Sequence, residues 1–373
     1  MNPDLINKPV VLHIFTSLGF GGVEKRGETI AAYQQHARWE HVFYAIDYCG
    51  DACEKIRSFG AVAHGLSCSP KIPNMYAIAA IFRVIKKIKP NVIHTHGAEA
   101  NFHGLIAAWL AGVPIRIGEG IGIPNHSALA KKVFRQVYRL SHRVVCISNA
   151  VKDWLINNNE VPVGKAVRIY NPVELYIPEE QLRGPEHIFR IGFVGRLEPV
   201  KNPLALVEAV ARLRDENVPV ELWIVGDGSQ RAELEKRIEK HALQKNARLF
   251  GYRKNPIDYV SQCDLYVQPS LSEGFGIALV EAMGCGVPVL ATSVGGAPEI
   301  ITHGETGWLI DQPDASGLYK ALIKIWRQRQ NLPAIGVAGR LAVQGRFEPT
   351  AYIEELDFLY SSLLAGKPQE IAN

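Results

Sequence analysis

Ser270-Leu-Ser-Glu-Gly-Phe-Gly-Ile-Ala-Leu-Val-Glu-Ala-Met283 is a turn of small residues that opens into an apolar helix holding one carboxylate, Glu281. The strand-like run Asp264-Leu-Tyr-Val-Gln268 and then Pro269 lead into it. Burying Glu281 among Ile277, Ala278, Leu279, Val280, Ala282 and Met283 is costly unless something hydrogen-bonds its carboxylate. The turn Glu273-Gly-Phe-Gly276 offers backbone N–H groups at a helix N-terminus, where anions bind. A phosphate at the turn and a hydroxyl-bearing group under Glu281 satisfy both demands. Together they describe a nucleotide sugar.

Working outward, strand-like and helix-like segments alternate along the chain. Val10–Phe15, His41–Ile46, Val92–Thr95, Pro114–Ile117, Arg143–Ile147 and Val167–Tyr170 are the strand candidates of the first half. The pattern pauses at the polar, proline-containing stretch Glu174–His187, which reads as a linker. It resumes with Phe189–Val194, Val220–Val225, Ala247–Phe250, the run ending at Gln268, Val287–Ala291 and Gly307–Ile310. Short apolar runs separated by helices indicate parallel sheets covered on both faces. Two tandem doubly wound, Rossmann-like α/β domains are expected, over 1–175 and 188–348.

The composition allows this. A chain of 373 residues, 47% hydrophobic and 21% charged, is an ordinary globular protein with room for two cores. The net charge of +4 is too small to point to nucleic acid. Residues 1–182 hold 20 Lys+Arg against 14 Asp+Glu, and the remainder 21 against 23, so the first half is the basic one. The six cysteines have no C-x-x-C spacing and read as free thiols in a reducing compartment. Met1–Pro9 lacks the pattern of a secretion signal, and no apolar run reaches spanning length. A cytoplasmic location is the expectation.

The pair Glu273 and Glu281, with Gly-Phe-Gly after the first, resembles the E-x7-E signature of retaining glycosyltransferases. Val194-Gly-Arg-Leu-Glu-Pro-Val-Lys-Asn202 fits the same family, and with it the sequence resembles glycosyltransferase family 4 over nearly its whole length. The resemblance implies the GT-B fold: two Rossmann-like domains facing across a cleft. It places the acceptor on the N-terminal domain and the donor on the C-terminal one, with a last helix, 349–365, crossing back to the first.

Read from residues alone, Arg196 and Lys201 are either an anion site beside a helix start or ordinary loop charges. Asn202 suits an N-cap and Pro203 a first helical residue. The resemblance gives Arg196 and Lys201 to the departing diphosphate, Glu273 to the donor sugar and Glu281 to the ribose. It puts Gly195, Gly226 and the backbone of Gly274, Phe275 and Gly276 near the donor. Without it, Glu273 could merely favour a helix dipole, and Glu281 could lie on the surface.

In His94-Thr-His96 the two histidines share one strand face. His94 reads as core. By resemblance His96 faces the donor sugar, and Gly21 and Gly22 line the cleft. Asn149 and Asn171 read as structural caps. The turn from Gly295 to Glu299 fits a further family element near the nucleotide.

No Asp-x-Asp and no cluster with metal-ligand spacing is found in the sequence, so no metal or cofactor is expected. Counter-charge for the diphosphate then falls to Arg196, Lys201 and helix dipoles. The implied reaction moves a sugar from a nucleoside-diphosphate sugar, a UDP-sugar by family habit, to a glycan or lipid-linked acceptor. Bacterial surface polysaccharide or lipopolysaccharide synthesis is the implied setting. A sugar-nucleotide epimerase of the same architecture and a non-catalytic scaffold are the rival classes. The basic segments 128–140 and 81–89 suit attachment at an anionic inner membrane face, or an ordinary amphipathic surface.

Overall fold

The computed structural model describes residues 8–19, 21–124, 126–176 and 188–366. They divide into two compact α/β units, one taking in the chain to Pro172 and again from Glu348, the other Val173–Phe347. The second unit begins earlier than the linker suggested: the Val173 N–H donates to the Phe347 carbonyl at 2.7 Å. Residues 177–187 of that linker, like 1–7 at the N-terminus, lie outside the described residues.

The first unit runs β1 Val10–Phe15, α1 Gly22–Ala32, β2 Glu40–Ala45, α2 Asp51–Ser58, β3 Val62–Gly65, α3 Met75–Ile88 and β4 Val92–His96. It continues with α4 Ala98–Ala111, β5 Ile115–Gly120, α5 Ala128–Arg139, β6 Arg143–Cys146, α6 Asn149–Asn157 and β7 Ala166–Arg168. The seven strands pair in parallel in the order β3-β2-β1-β4-β5-β6-β7. Period-two alternation sorts β1 between two layers. Leu12 and Ile14 meet Ile78, Ile81 and Ile85 of α3 on one face, while Val11 and Phe15 join the core under α1 and α2 on the other. Edge strand β3 gave no sequence signal because only Ala63 of its four residues is buried.

The second unit runs β8 Phe189–Val194, α7 Pro203–Asp215, β9 Val220–Val225, α8 Arg231–Lys240, β10 Ala247–Gly251, α9 Ile257–Val260 and β11 Leu265–Gln268. Then come α10 Ile277–Gly284, β12 Val289–Thr292, α11 Ala297–Ile300, β13 Trp308–Ile310, α12 Ala315–Arg327 and α13 Leu332–Val343. Its parallel order is β10-β9-β8-β11-β12-β13. The last helix, α14 Pro349–Leu364, belongs to the first unit. Its Tyr352, Ile353, Leu356, Leu359 and Tyr360 complete the layer that Val11 and Phe15 face, and Asp357 Oδ2 accepts the Arg38 N–H at 2.9 Å.

Strand order reverses between β1 and β4 in one sheet and between β8 and β11 in the other. Ligands of open α/β sheets bind beyond the carboxyl ends of strands at such points. The reading of all cysteines as free thiols is corrected: Cys49, just before α2, and Cys53, within it, are joined by a disulfide. Cys146, Cys263 and Cys285 are buried free thiols, and Cys68 is free and half-buried.

Candidate active site

At the switch point of the second unit, the loops that leave β8 and β11 are locked together. The Leu271 N–H donates to the Val200 carbonyl at 2.8 Å, and Asn202 Nδ2 donates to the carbonyls of Pro269 at 3.2 Å and Pro313 at 2.7 Å. These bonds carry Lys201 to Glu273: Lys201 Nζ lies 2.6 Å from Glu273 Oε2, with both side chains partly exposed. The same oxygen accepts from Gln268 Nε2 at 2.9 Å and from Ser270 Oγ at 3.4 Å. Buried Tyr266 donates toward the Val194 carbonyl at 3.2 Å and Gln268 Oε1 at 3.3 Å, which ties the ends of β8 and β11 together. Arg196 stands exposed in the same loop as Lys201. Two residues assigned to adjoining parts of a donor, Lys201 to the diphosphate and Glu273 to the sugar, are thus neighbours. Gln268 and Ser270, which hold Glu273, carried no sequence signal because both look like ordinary strand-end residues.

Several local expectations change. Asn202 is no side-chain N-cap: it adopts the left-handed region (φ 55°) and spends its amide on the two proline carbonyls, while α7 still starts at Pro203. The Phe275 ring is core, 1% exposed and edge-on to Phe347, so only its backbone can meet a ligand. Glu281 is half-buried, on the less covered stripe of α10 with Ile277 and Ala278, while Leu279, Val280, Ala282 and Met283 face inward. The left-handed Gly276 (φ 111°) begins α10.

Two glycines are required by close approach. A Cβ on Gly226 would stand 1.9 Å from the Gly195 carbonyl oxygen, and one on Gly295 would stand 1.5 Å from that of Glu273. Gly226 and Gly295 therefore let neighbouring loops nest around the site. That accounts for both without a direct ligand contact.

In the first unit, Gly21 and Gly22 lie at the carboxyl end of β1, where Gly21 precedes α1 and Ser17 Oγ donates to Glu24 Oε1 at 3.2 Å. Thr16 Oγ1 donates to Glu99 Oε2 at 3.3 Å and so joins the ends of β1 and β4. His96 departs from expectation. It is 1% exposed and stacked on Phe15, its Nδ1 donates to Glu119 Oε2 at 2.5 Å, and its Nε2 faces His13 Nδ1 at 2.9 Å. Both ring nitrogens are engaged inside the unit, so the reading of His96 as a donor-facing catalytic group is corrected to a buried one. His94 is core as expected, its Nδ1 2.7 Å from Tyr360 Oη.

Glu119 also binds buried Arg26, Nη1 to Oε1 at 2.6 Å, and Arg26 reaches Asn171 Oδ1 at 2.9 Å. Burial opposes ionisation of Glu119, but Arg26 and His96 outweigh it and hold its pKa at about 2. Asn171 is thus an Arg26 partner, and the cap of α6 is Ser148, whose side chain accepts the Val151 N–H, rather than Asn149.

Comparison with known proteins identifies the family. Residues 179–340 match the model of the glycosyl transferases group 1, and residues 20–176 that of Glycosyltransferase Family 4. An Escherichia coli UDP-Gal:alpha-D-GlcNAc-diphosphoundecaprenol alpha-1,3-galactosyltransferase is 30% identical over 317 residues, covering 79% of this chain and 81% of its own. The chain belongs to glycosyltransferase family 4. This makes it a retaining, hexose-transferring enzyme that uses a nucleotide sugar, and the epimerase and scaffold readings fall away.

A capsular polysaccharide biosynthesis glycosyltransferase of Staphylococcus aureus is 24% identical, covering 81% of this chain and 86% of its own. The GT-B fold is seen in the Anabaena protein HepE in complex with UDP, with a TM-score of 0.80 at 21% identity over 95% of this chain and all of that one. The two parallel sheets of this chain, of seven and six strands, fit that fold.

Proposed function

We propose that this family 4 enzyme transfers a hexose from a UDP-sugar to a hydroxyl of a glycan or lipid-linked glycan acceptor in bacterial surface polysaccharide or lipopolysaccharide synthesis. The observation that carries the reading is the meeting of Lys201 and Glu273 at the switch point of the second unit. Arg196 and Lys201 receive the diphosphate, Glu273 the sugar and Glu281 the ribose. The backbone of Gly195, Gly274, Phe275 and Gly276 shapes the donor site, and the Gly21–Gly22 end of the first unit takes the acceptor. An ammonium has three donors. Lys201 can keep Glu273 and still reach phosphate oxygens, so one cation orients the sugar-binding carboxylate and offsets leaving-group charge. Uridine is supported by relatives whose names include UDP-Gal and UDP.

The test is ligand-induced stabilisation. UDP at about 100 times its Kd adds about 2.7 kcal/mol to the unit that binds it, a rise of roughly 5–10 °C in its melting temperature. GDP is expected to add little, and Glu281→Gln to remove most of the UDP effect. Stabilisation by GDP alone would transfer the base assignment. An undiminished UDP effect in Glu281→Gln would remove Glu281 from the ribose.

We also propose that the enzyme works at an anionic membrane face. Among the described residues no helix is long and apolar enough to cross a membrane. Segment 128–140 serves this poorly, because Phe134, Val137 and Tyr138 of its apolar side are already buried in the unit and Lys131 is bound to Asn158 Oδ1 at 2.5 Å and lies over Trp154. The α3–α4 face serves better. Trp109 and Leu110 are each 54% exposed there, and Lys86, which reaches the Ala111 carbonyl, stands with Lys87 and Lys89 at the end of α3. Co-sedimentation with anionic vesicles at low salt is expected, with loss on joint Lys86, Lys87 and Lys89→Gln substitution. Equal sedimentation of the variant, or none by the wild type, rejects this face.

A further inference from the structure

Strand β11 is buried along its whole length, and its last residue, Gln268, carries an amide where Leu265, Tyr266 and Val267 carry core side chains. Gln268 is 5% exposed, and a buried amide is costly unless both its ends are hydrogen-bonded. Here both are. Its Oε1 accepts from Tyr266 Oη at 3.3 Å, and its Nε2 donates to Glu273 Oε2 at 2.9 Å.

The direction of this relay is fixed. Burial raises the Tyr266 pKa well above its ordinary value, and the charges of Glu273 and Glu281 add to the effect, so the phenol keeps its proton and donates. That one proton is shared between Gln268 Oε1 and the Val194 carbonyl, 3.2 Å away. The opposite flip of the Gln268 amide would set its oxygen against the Glu273 carboxylate. The amide is thereby anchored to two interior strands, β8 and β11.

The bonds to Glu273 are one-sided. Its Oε2 takes Gln268 Nε2, Lys201 Nζ at 2.6 Å and Ser270 Oγ at 3.4 Å, three donors for the two lone pairs of one oxygen. Among the described residues none bonds Glu273 Oε1. A carboxylate only accepts, so Oε1 is suited to a hydroxyl. At 13% exposure the side chain stays within reach of a ligand.

We propose that Gln268, held by Tyr266, is a positioning residue for sugar transfer: it clamps Glu273 through Oε2 and so leaves Oε1 to accept a hydroxyl of the hexose being transferred. The inference rests on the proposed assignment of Glu273 to the sugar and adds how that carboxylate is held. Lys201 alone does not hold it, because its ammonium rides on a flexible four-carbon stem and the departing diphosphate competes for its three donors. Gln268 is buried beneath this competition and keeps its bond while charge grows on the leaving group.

Release of UDP from UDP-glucose, UDP-galactose and their N-acetyl forms, without acceptor, selects the substrate on which kcat, KM and pH dependence are compared. Gln268→Met, which keeps the length and has no N–H, is expected to lower kcat on the order of 10–100-fold through misplacement of Glu273. The Kd for UDP itself should not change, because UDP carries no hexose. Gln268→Glu puts a second carboxyl beside that of Glu273, and the two share a proton. Protonated, the new group donates as the amide does; ionised, it repels Glu273. Its rate relative to wild type is therefore expected to fall as pH rises through the upper ionisation of the pair, while that of Gln268→Met stays flat. Tyr266→Phe, which keeps the ring, is expected to lose about fivefold in kcat with UDP binding intact.

A side chain that merely fills the end of β11 would give Gln268→Met and Gln268→Glu equal losses at every pH, and that result overturns the clamp. Wild-type kcat in Gln268→Met beside an impaired Glu273→Gln also overturns it, while leaving Glu273 on the sugar. Unimpaired turnover in Glu273→Gln overturns the sugar assignment and the clamp together. If Gln268→Met fails to fold, the pH profile of Gln268→Glu and the kcat of Tyr266→Phe decide between the same outcomes.

Discussion

Lys201→Ala is expected to lower turnover by roughly 10²–10³-fold, the range seen when one preorganised donor to a developing charge is removed. Two effects combine. The diphosphate loses a cation at the ligand end of the second sheet, and Glu273 loses the ammonium 2.6 Å from its Oε2. Gln268 and Ser270 still hold Glu273, so its position survives better than its electrostatic environment. The fold should be unaffected, because Lys201 lies on a short turn whose backbone is pinned through Leu271 and Asn202. Arg196→Ala, at an exposed position, is expected to show a loss of the same kind with normal melting. Steady-state rates and circular dichroism check both. Near-normal turnover in both variants would separate these cations from the chemistry.

Arg26→Met is expected to destabilise the first unit by about 3–5 kcal/mol, the cost of leaving a buried charge without its partner. Glu119 is fully buried, and Arg26 supplies the main force that keeps it ionised. Replacing both, with Arg26→Met and Glu119→Gln, should recover part of the loss, because the orphaned charge disappears.

The acid dependence has a definite sign. A carboxyl held at about 2, below its ordinary 4.5, stabilises the fold above about pH 4.5, and this contribution fades as pH falls toward 2. The single variant should lack that component. Urea unfolding at several pH values, with the two units followed separately, measures it. A loss below about 1 kcal/mol would show that water or rearrangement replaces Arg26.

The sequence carried the architecture because β1, β8, β9 and β11 are interior strands, buried over most of their length and so written as mainly apolar runs. Edge strand β3 was missed because one residue of it is buried. The residues proposed for the donor were legible for a related reason: Arg196, Lys201 and Glu273 sit at breaks between apolar runs, and Glu281 is the lone acid inside one. Their pairing was not, since Lys201 and Glu273 are 72 positions apart and are joined by loop hydrogen bonds. The contact of His13 with His96 escaped for the same reason, the two being 83 positions apart. Glu119 gave a signal that was passed over, a lone acid in the run Ile117-Gly-Glu-Gly-Ile121. A carboxylate in a strand of that kind announces a buried cation, and Arg26 was the one to seek.

The return of α14 to the first unit also has a consequence in time. Ribosomes deliver residues in order, and the helix that covers Val11, Phe15 and His94 emerges only after the whole of Val173–Phe347. At about 5–20 residues per second, the N-terminal sheet waits on the order of 10–35 s with that face covered only in part, by α1 and α2, while its neighbour can already close. The half of the chain made first is therefore the half finished last, and the nascent protein passes through a stage in which a completed C-terminal unit is tethered to an open N-terminal one.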